Sequence, residues 1–352
     1  MYYSVVVAGG GPAGALAALK LARAGVSVLV IDRERPNRVE AAEILSPAGH
    51  ELLVREDLWH RIPLDVTWPC PAMAAAWEGP DLAWTSFTLQ PSGCAWHIDR
   101  IRFDAWMTRQ LIAAGVIVKA GAVDMARREH ETWQIEFTFD DRRHAVSARY
   151  LIVATGRTSR AIRLASRHPI DNLCLVAGTA APDPIDTDAL IVEAVADGWW
   201  YSAPVVGGRL FTGWMTDFSL VADGRYADAA MASLATAPVH AQRLDAPRLS
   251  SVIGSATWAM SPCAGPGWIA IGEAALARDP IGGDGLASAL RSASHAVDVV
   301  ARALEGDEDA WAAAAAHTDE ISRQYQAQRL DLYRLAARRW PTSAFWRRFA
   351  TQ

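Results

Sequence analysis

Short apolar runs alternate with helical periodicity from the first residues of the chain. Ser4–Ala8 reads as a buried strand, a glycine run follows, and an apolar-periodic helix extends to about Ala24. Val26–Ile31 is a second apolar strand and closes on Asp32. This alternation of periods is that of a βαβ unit in a parallel sheet. Val116–Val118 reads as another strand. Thr132–Phe139 and His144–Ala148 alternate on either side of Asp140-Asp141, which predicts a β-hairpin, and Tyr150–Ala154 is a separate apolar strand ending in Thr155-Gly156. Ala189–Val195, Trp199–Ala203 and Arg209–Met215 alternate with Gly207-Gly208 as a tight turn, the pattern of an antiparallel sheet. Trp268–Ile271 is again a strand, a long helix starts at Leu286, and the Ala310–Ala316 run opens an arginine-rich helical tail.

The first strand–helix junction carries chemistry. Gly9, Gly11 and Gly14 meet the spacing G-x-G-x-x-G, with Gly10, Pro12 and Ala13 between them. One glycine makes the tight turn, one lets the backbone approach a pyrophosphate, and one lets the helix pack closely on the strand. The helix N-terminus offers unpaired N–H groups and a partial positive charge to phosphates. Asp32, 21 positions after Gly11, stands where an acid binds a ribose hydroxyl, with Arg33 beside it. The motif predicts a dinucleotide without choosing FAD over NAD.

Composition narrows the field. The chain has 352 residues, 51% hydrophobic and 21% charged, which is a globular balance. A net charge of −5 gives no electrostatic attraction to nucleic acid or acidic membranes, and no run is long enough to span a bilayer. Four scattered cysteines form no C-x-x-C pair, as expected of a cytoplasmic protein. No metal-ligand spacing, nucleophile triad or paired carboxylates are recognisable. Only Lys20 and Lys119 are lysines.

The later segments point to FAD. A β-meander returning to a strand that ends Ala154-Thr155-Gly156 resembles the FAD-binding fold of the glutathione-reductase type. Gly272-Glu273-Ala274-Ala275, followed by Asp279-Pro280-Ile281-Gly282-Gly283-Asp284-Gly285, resembles the second FAD motif of aromatic hydroxylases and flavin-dependent halogenases. That resemblance implies that the acid at 273, a glutamate where aspartate is usual, binds the ribitol. It also implies that the glycine run passes along the isoalloxazine. Independently of it, a helix N-terminus at Gly285 would stabilise anionic reduced flavin.

Three further stretches extend the resemblance. Ala42-Glu43-Ile44-Leu45-Ser46-Pro47 is similar to the G-E-S-L-P-P stretch of tryptophan halogenases. His97-Ile98-Asp99-Arg100 is similar to the helix start whose arginine reaches the FAD. Gly198-Trp199-Trp200-Tyr201-Ser202-Ala203-Pro204 aligns with the halogenase signature G-W-x-W-x-I-P, with tyrosine and alanine replacing tryptophan and isoleucine. The arginine- and tryptophan-rich tail resembles halogenase-related maturases that oxidise tryptophan to tryptophylquinone. Taken together, the expected FAD contacts are Gly9, Gly11, Pro12, Ala13, Gly14, Asp32, Arg33, Glu43, Ile44, Arg100, Val123, Gly156, Gly272, Glu273, Pro280, Gly282, Gly283 and Gly285.

Family halogenases use a lysine between flavin and indole. Here none lies between residues 40 and 118, and arginine does not substitute because it is essentially never deprotonated. Oxygenation is therefore the expected chemistry: non-covalently bound flavin, reduced by NAD(P)H directly or through a separate flavin reductase, passes one oxygen atom to an electron-rich ring. The substrate would be an aromatic small molecule or a tryptophan in a peptide or partner protein. A halogenase with a displaced base and a non-catalytic FAD-binding partner protein remain alternatives. His97 is the leading acid–base candidate, against a hydrogen-bonded histidine at a helix start. Glu43 is a second, and Trp199, Trp200 and Tyr201 are expected at the substrate because of the signature they match, with Trp200 and Tyr201 as catalytic candidates. The expected architecture is α/β: a glutathione-reductase-type FAD-binding Rossmann domain from residues 1–66, 97–165 and 256–305, an inserted antiparallel β-sheet substrate domain from 67–96 and 166–255, and a helical C-terminus over 306–352.

Overall fold

The structure is a computed structural model that describes residues 1–33, 42–87, 93–157, 162, 164–182 and 188–350. Its central sheet carries five parallel strands in the spatial order Trp268–Ala270, Arg142–Val153, Tyr2–Ala8, Val28–Asp32, Ile117–Ala120. The inner strands are apolar where they pair, over residues 5–8, 28–31 and 151–153, because both faces are covered there, as a parallel sheet requires. Helices Pro12–Arg23 and Gly285–Leu304 pack on it through Leu16, Leu19, Leu290 and Val300, all buried.

The meander differs from the sequence expectation at one point. Ala122–Glu129 and Thr132–Phe139 form antiparallel strands, and the turn falls at Asp140-Asp141, both at positive φ, as a tight hairpin requires. The expected strands His144–Ala148 and Tyr150–Ala154 are one continuous strand, Arg142–Val153. Its outer half pairs antiparallel with Thr132–Phe139 and its inner half pairs parallel with Tyr2–Ala8. The change from alternating to uniformly apolar residues along it marks a change of cover, from one face buried to two.

The inserted region folds as a seven-stranded sheet ordered Leu244–Gly254, Leu173–Pro182, Arg209–Asp217, Gly198–Val205, Leu190–Val195, Ala72–Ala76, Ala83–Ser86. The Gly207-Gly208 turn lies where expected, both residues at positive φ. Strand alternation divides its side chains between two cores. Trp199, Tyr201, Phe211 and Met215 pack on one face with Tyr333, Phe345 and Trp346 of the tail, whereas Trp200, Leu210 and Trp214 pack on the other with helix Tyr226–Leu234. Helix Pro238–Arg243 has no cap of its own. The buried Glu193 carboxylate of the neighbouring strand instead accepts from the N–H groups of Val239 (3.1 Å) and His240 (2.9 Å), satisfying two orphan donors.

A small sheet of Glu43–Leu45, Ala95–Ile98 and Thr67–Cys70 joins the two regions. The boundary expected between 96 and 97 falls inside its middle strand. The C-terminal segment is helical, Ala310–Ala337 and Ala344–Ala350, and it packs along both regions of its own chain. Trp311 and Ala314 enter the core of the parallel sheet, and Tyr333 and Ala336 enter that of the inserted sheet.

Midway along that helix Arg329, 6% exposed, ties the regions together. It donates to Asp171 Oδ2 (2.7 Å), just before Leu173–Pro182, and to Asp279 Oδ2 (2.5 Å), ahead of the glycine run. Replacing Arg329 with methionine strands two buried carboxylates, so Arg329→Met should cost about 3–5 kcal/mol. Urea unfolding of the FAD-loaded protein measures it, and a loss below about 1 kcal/mol would mean that the pair is not buried in solution.

Candidate functional site

The first glycine turn follows directly from the strand Tyr2–Ala8. Gly9 has φ +110°, and a Cβ there would come within 2.2 Å of the Ala154 carbonyl oxygen. A Cβ on Gly14 would sit 1.9 Å from the Gly9 oxygen. These two glycines let helix and strand touch. Gly11 is different: a Cβ on it would meet no protein atom, so it faces open space at the helix N-terminus. The first turn of that helix carries no acid, and its leading N–H groups are available to an anion.

The open space is a groove. One stretch of about 170 Å³ runs past Gly11, Pro12, Ala13, Gly156, Gly272 and Arg100. A second of about 210 Å³ runs past Ile44, Tyr201, Trp199, Pro280, Gly283 and Arg278. Glu43, Glu273, Gly285 and Leu286 line both, so the two glycine turns open on one continuous groove. Added Cβ atoms at Gly156, Gly282, Gly283 and Gly285 would likewise meet nothing, and Gly283 takes the left-handed φ of +58°. A floor of bare backbone beside two helix N-termini suits a long, flat ligand with a pyrophosphate in its middle.

Charge along the groove is paired. Glu43 Oε1 accepts from Arg100 Nη1 at 2.7 Å, and Arg100 Nε reaches Asp104 Oδ1 at 2.8 Å. Burial alone would lower the Arg100 pKa, but Glu43 and Asp104 hold it above the ordinary arginine range. Glu273 Oε1 accepts from Arg157 Nη2 (2.6 Å) and Nε (3.1 Å). Arg157 also holds the carbonyls of Ala256 and Arg278. Asp279 caps the turn before the glycine run, accepting from Ile281 N at 2.9 Å. Its other oxygen accepts from Tyr333 Oη at 3.0 Å, and Tyr333 Oη accepts from Trp199 Nε1 at 2.9 Å.

Three sequence-derived candidates lie elsewhere. His97 belongs to the strand Ala95–Ile98 rather than to a helix start, because Asp99 caps the helix Arg100–Ala113. Its Nε2 is 2.7 Å from the Asp188 carbonyl, its ring stacks on Trp68, and it does not line the groove. Burial, outweighing the Asp188 carbonyl, keeps its pKa below the usual histidine value. It is a buried structural histidine, not the acid–base group of the groove. Trp200 is fully buried on the far face of its strand, with Nε1 to Ser233 Oγ at 3.3 Å. Strand alternation places Trp199 and Tyr201 in the groove and turns Trp200 away from it. Val123 is a core residue opposite Phe137. Asp32 ends its strand beside Gly10, with Arg33 next to it in sequence, and both lie outside the two stretches described. Lys20 pairs with Glu56 and Lys119 lies in an edge strand of the parallel sheet, so no described lysine lines the groove. Sequence reading missed Arg157, Arg278 and the contacts of Arg329 and Tyr333. Of the three signature residues, alternation from Tyr201 selects Trp199 and excludes Trp200.

This geometry defines an FAD-binding α/β flavoprotein. Residues 2–169 match the model of the FAD binding domain family. The putative FAD-dependent oxidoreductase LodB of Marinomonas mediterranea is 25% identical over 98% of this chain and 96% of its own length. Among solved structures, the peptidyl tryptophan dihydroxylase QhpG, essential for tryptophylquinone cofactor biogenesis, is 26% identical, with a TM-score of 0.81 over 99% of this chain and 79% of that one. The flavin-dependent halogenase CmlS shares the fold, at 21% identity and a TM-score of 0.86 over 99% of this chain and 67% of that one. The chain is an FAD-dependent oxidoreductase, and over nearly its whole length it is similar to proteins of the halogenase-like and aromatic-hydroxylase clan.

Because a Cβ on Gly11 would meet no protein atom, Gly11→Val should leave the stability of the FAD-free protein within about 0.5 kcal/mol while abolishing retention of the yellow cofactor. Gly14→Val should instead lower stability and expression together. Absorbance after purification and thermal melts separate the two; bound flavin in Gly11→Val would remove the first turn from the cofactor site.

Proposed function

We propose that this protein is a flavin-dependent monooxygenase that hydroxylates an electron-rich aromatic ring, with a tryptophan side chain in a peptide or partner protein as the favoured substrate. One observation carries the choice of oxygenation over halogenation: neither lysine is near the groove, and the groove wall offers no other amine. The names of LodB and QhpG agree with this reading, and the fold shared with halogenases is compatible with either chemistry.

Bound FAD, once reduced by NAD(P)H or a separate reductase, supplies the activation of molecular oxygen. The chain's residues do the rest. Gly11 and Ala13 would hold the pyrophosphate with backbone N–H groups, with Pro12 between them setting the first helical turn, and Asp32 would hold the ribose. Gly282, Gly283 and Gly285 leave room for the isoalloxazine, and the helix N-terminus at Gly285 favours its anionic reduced form. Trp199 and Tyr201 offer aromatic walls for a planar substrate. One oxygen atom enters the ring and the other leaves as water, and the ring must then lose a proton. Glu43 is the acid–base group placed to accept it, with Arg100 fixing its carboxylate. Burial first, and the Glu43 charge second, raise the Tyr201 hydroxyl above the usual tyrosine range, so it remains a neutral donor.

The test supplies FAD-loaded protein, oxygen, NADPH with a flavin reductase, bromide and a tryptophan-containing peptide. The expected product gains one oxygen atom and no bromine. Brominated peptide would establish the halogenase reading, and reductant-independent inertness toward both peptide and free tryptophan would favour a binding function. Glu43→Gln should lower turnover about 100-fold while retaining flavin, the scale of a lost acid–base contribution.

A further inference from the structure

A second cavity of about 250 Å³ lies behind the Gly272 turn, between the strand Trp268–Ala270 and the helices Gly285–Leu304 and Ala310–Ala337. Its polar wall is one helix face: Ser288, Arg291, Ser292 and His295 stand at i, i+3, i+4 and i+7. His317 and Thr318 face them from the second helix, and Arg278 closes the end nearest the flavin groove. The His295 and His317 rings lie 4.6 Å apart. No acid is among the lining residues, and Ile269, Ile271, Leu276 and Ile321 supply an apolar wall opposite.

Two donors here are unused. His295 Nε2 and Arg278 Nε are buried, with no hydrogen-bond partner among the described residues. Leaving buried polar atoms unpaired is costly, and native proteins satisfy nearly all of them. Asp284 takes part of the positive charge, pairing with Arg291 and lying 3.8 Å from Arg278, but it approaches from the loop and reaches neither histidine. Burial, and then His317, keep His295 below the ordinary histidine range, so at neutral pH it is a neutral ring that can donate from Nε2.

We propose that this cavity binds a small aliphatic carboxylate, its anionic head between His295, His317 and Arg278 and its chain against the isoleucines. The cavity lies behind the groove, sharing Ile271, Gly272 and Arg278 with its wall, and the proposal does not depend on the oxygenation reading. The volume accommodates a ligand of pentanoate size, since a water molecule's share of liquid volume is about 30 Å³.

The experiment titrates the FAD-loaded protein with pentanoate by calorimetry, with pentanamide and inorganic phosphate as parallel probes. Pentanoate should bind one site per chain, and its neutral amide should bind at least about tenfold more weakly, because it lacks the charge that the cavity recognises. His295→Phe should weaken pentanoate by about tenfold or more with the flavin spectrum unchanged. His317→Gln, a milder change, should do so in the same direction if His295→Phe does not fold. Equal affinity for acid and amide, binding of phosphate but not pentanoate, or pentanoate affinity unaffected by either folded variant would overturn the proposal.

Discussion

The position of the flavin-facing loop depends on a buried cation. Arg329 sits between Asp171 and Asp279, which lie 108 residues apart in sequence and belong to different parts of the fold. Removing three charges from water costs several kcal/mol per ion, which only good geometry offsets. The geometry is complete. Asp171 Oδ1 accepts from Leu173 N (3.1 Å) and Thr257 N (2.9 Å), Asp279 Oδ1 accepts from Ile281 N, and the Arg329 guanidinium lies over the Tyr333 ring at 4.7 Å. Burial works against the charged arginine, yet Asp279 and then Tyr333 and Asp171 raise its pKa further. Such a cluster is better suited to fixing a geometry than to adding net stability.

What it fixes is the relation of three elements. Tyr333 Oη donates to Asp279 and accepts from Trp199, so the tail helix, the glycine run and the aromatic groove wall share one chain of hydrogen bonds. Desolvation, outweighing its neighbours, holds the Tyr333 hydroxyl well above the ordinary tyrosine value, which keeps it a donor throughout. Tyr333, more than forty residues beyond the glycine run, is therefore tied to the groove through Asp279 and Trp199.

The cofactor half of the site was legible in the sequence because it is local. Gly9, Gly11 and Gly14 have the spacing of their three mechanical tasks, and the structure gives each a distinct environment. The parallel strands were legible because burial on two faces leaves uniformly apolar runs. The substrate half was less so. His97 looked like a helix-start residue, yet Asp99, two positions later, is the better cap and takes that place. Trp200 and Trp199 are indistinguishable by composition, and only the pleat of a strand whose inward face is known separates them. Arg157, Arg278 and Arg329 carry no local signature, since their meaning lies in partners such as Glu273, Tyr325 and Asp171, which lie 116, 47 and 158 positions away and which the chain brings together only on folding.

The pairing of charges in the groove bears on what it accepts. Glu43 is matched by Arg100 and Glu273 by Arg157, so neither carboxylate presents an unbalanced charge. A groove neutral in this way, walled by Trp199, Tyr201 and Leu190, gives little preference to a charged substrate and much to a flat apolar one. An indole meets that description, whereas a free amino acid adds an ammonium and a carboxylate that would need partners of their own. Within a polypeptide both charges are replaced by amides. Asp284, the N-cap residue of the helix Gly285–Leu304, makes no side-chain cap bond and pairs with Arg291, so the helix N-terminus keeps a partial charge near the expected flavin, worth about 0.3–1 kcal/mol and up to ~2 when shielded from water. It acts on the cofactor's charge, not on the substrate's, and so favours reduction without drawing anions into the pocket.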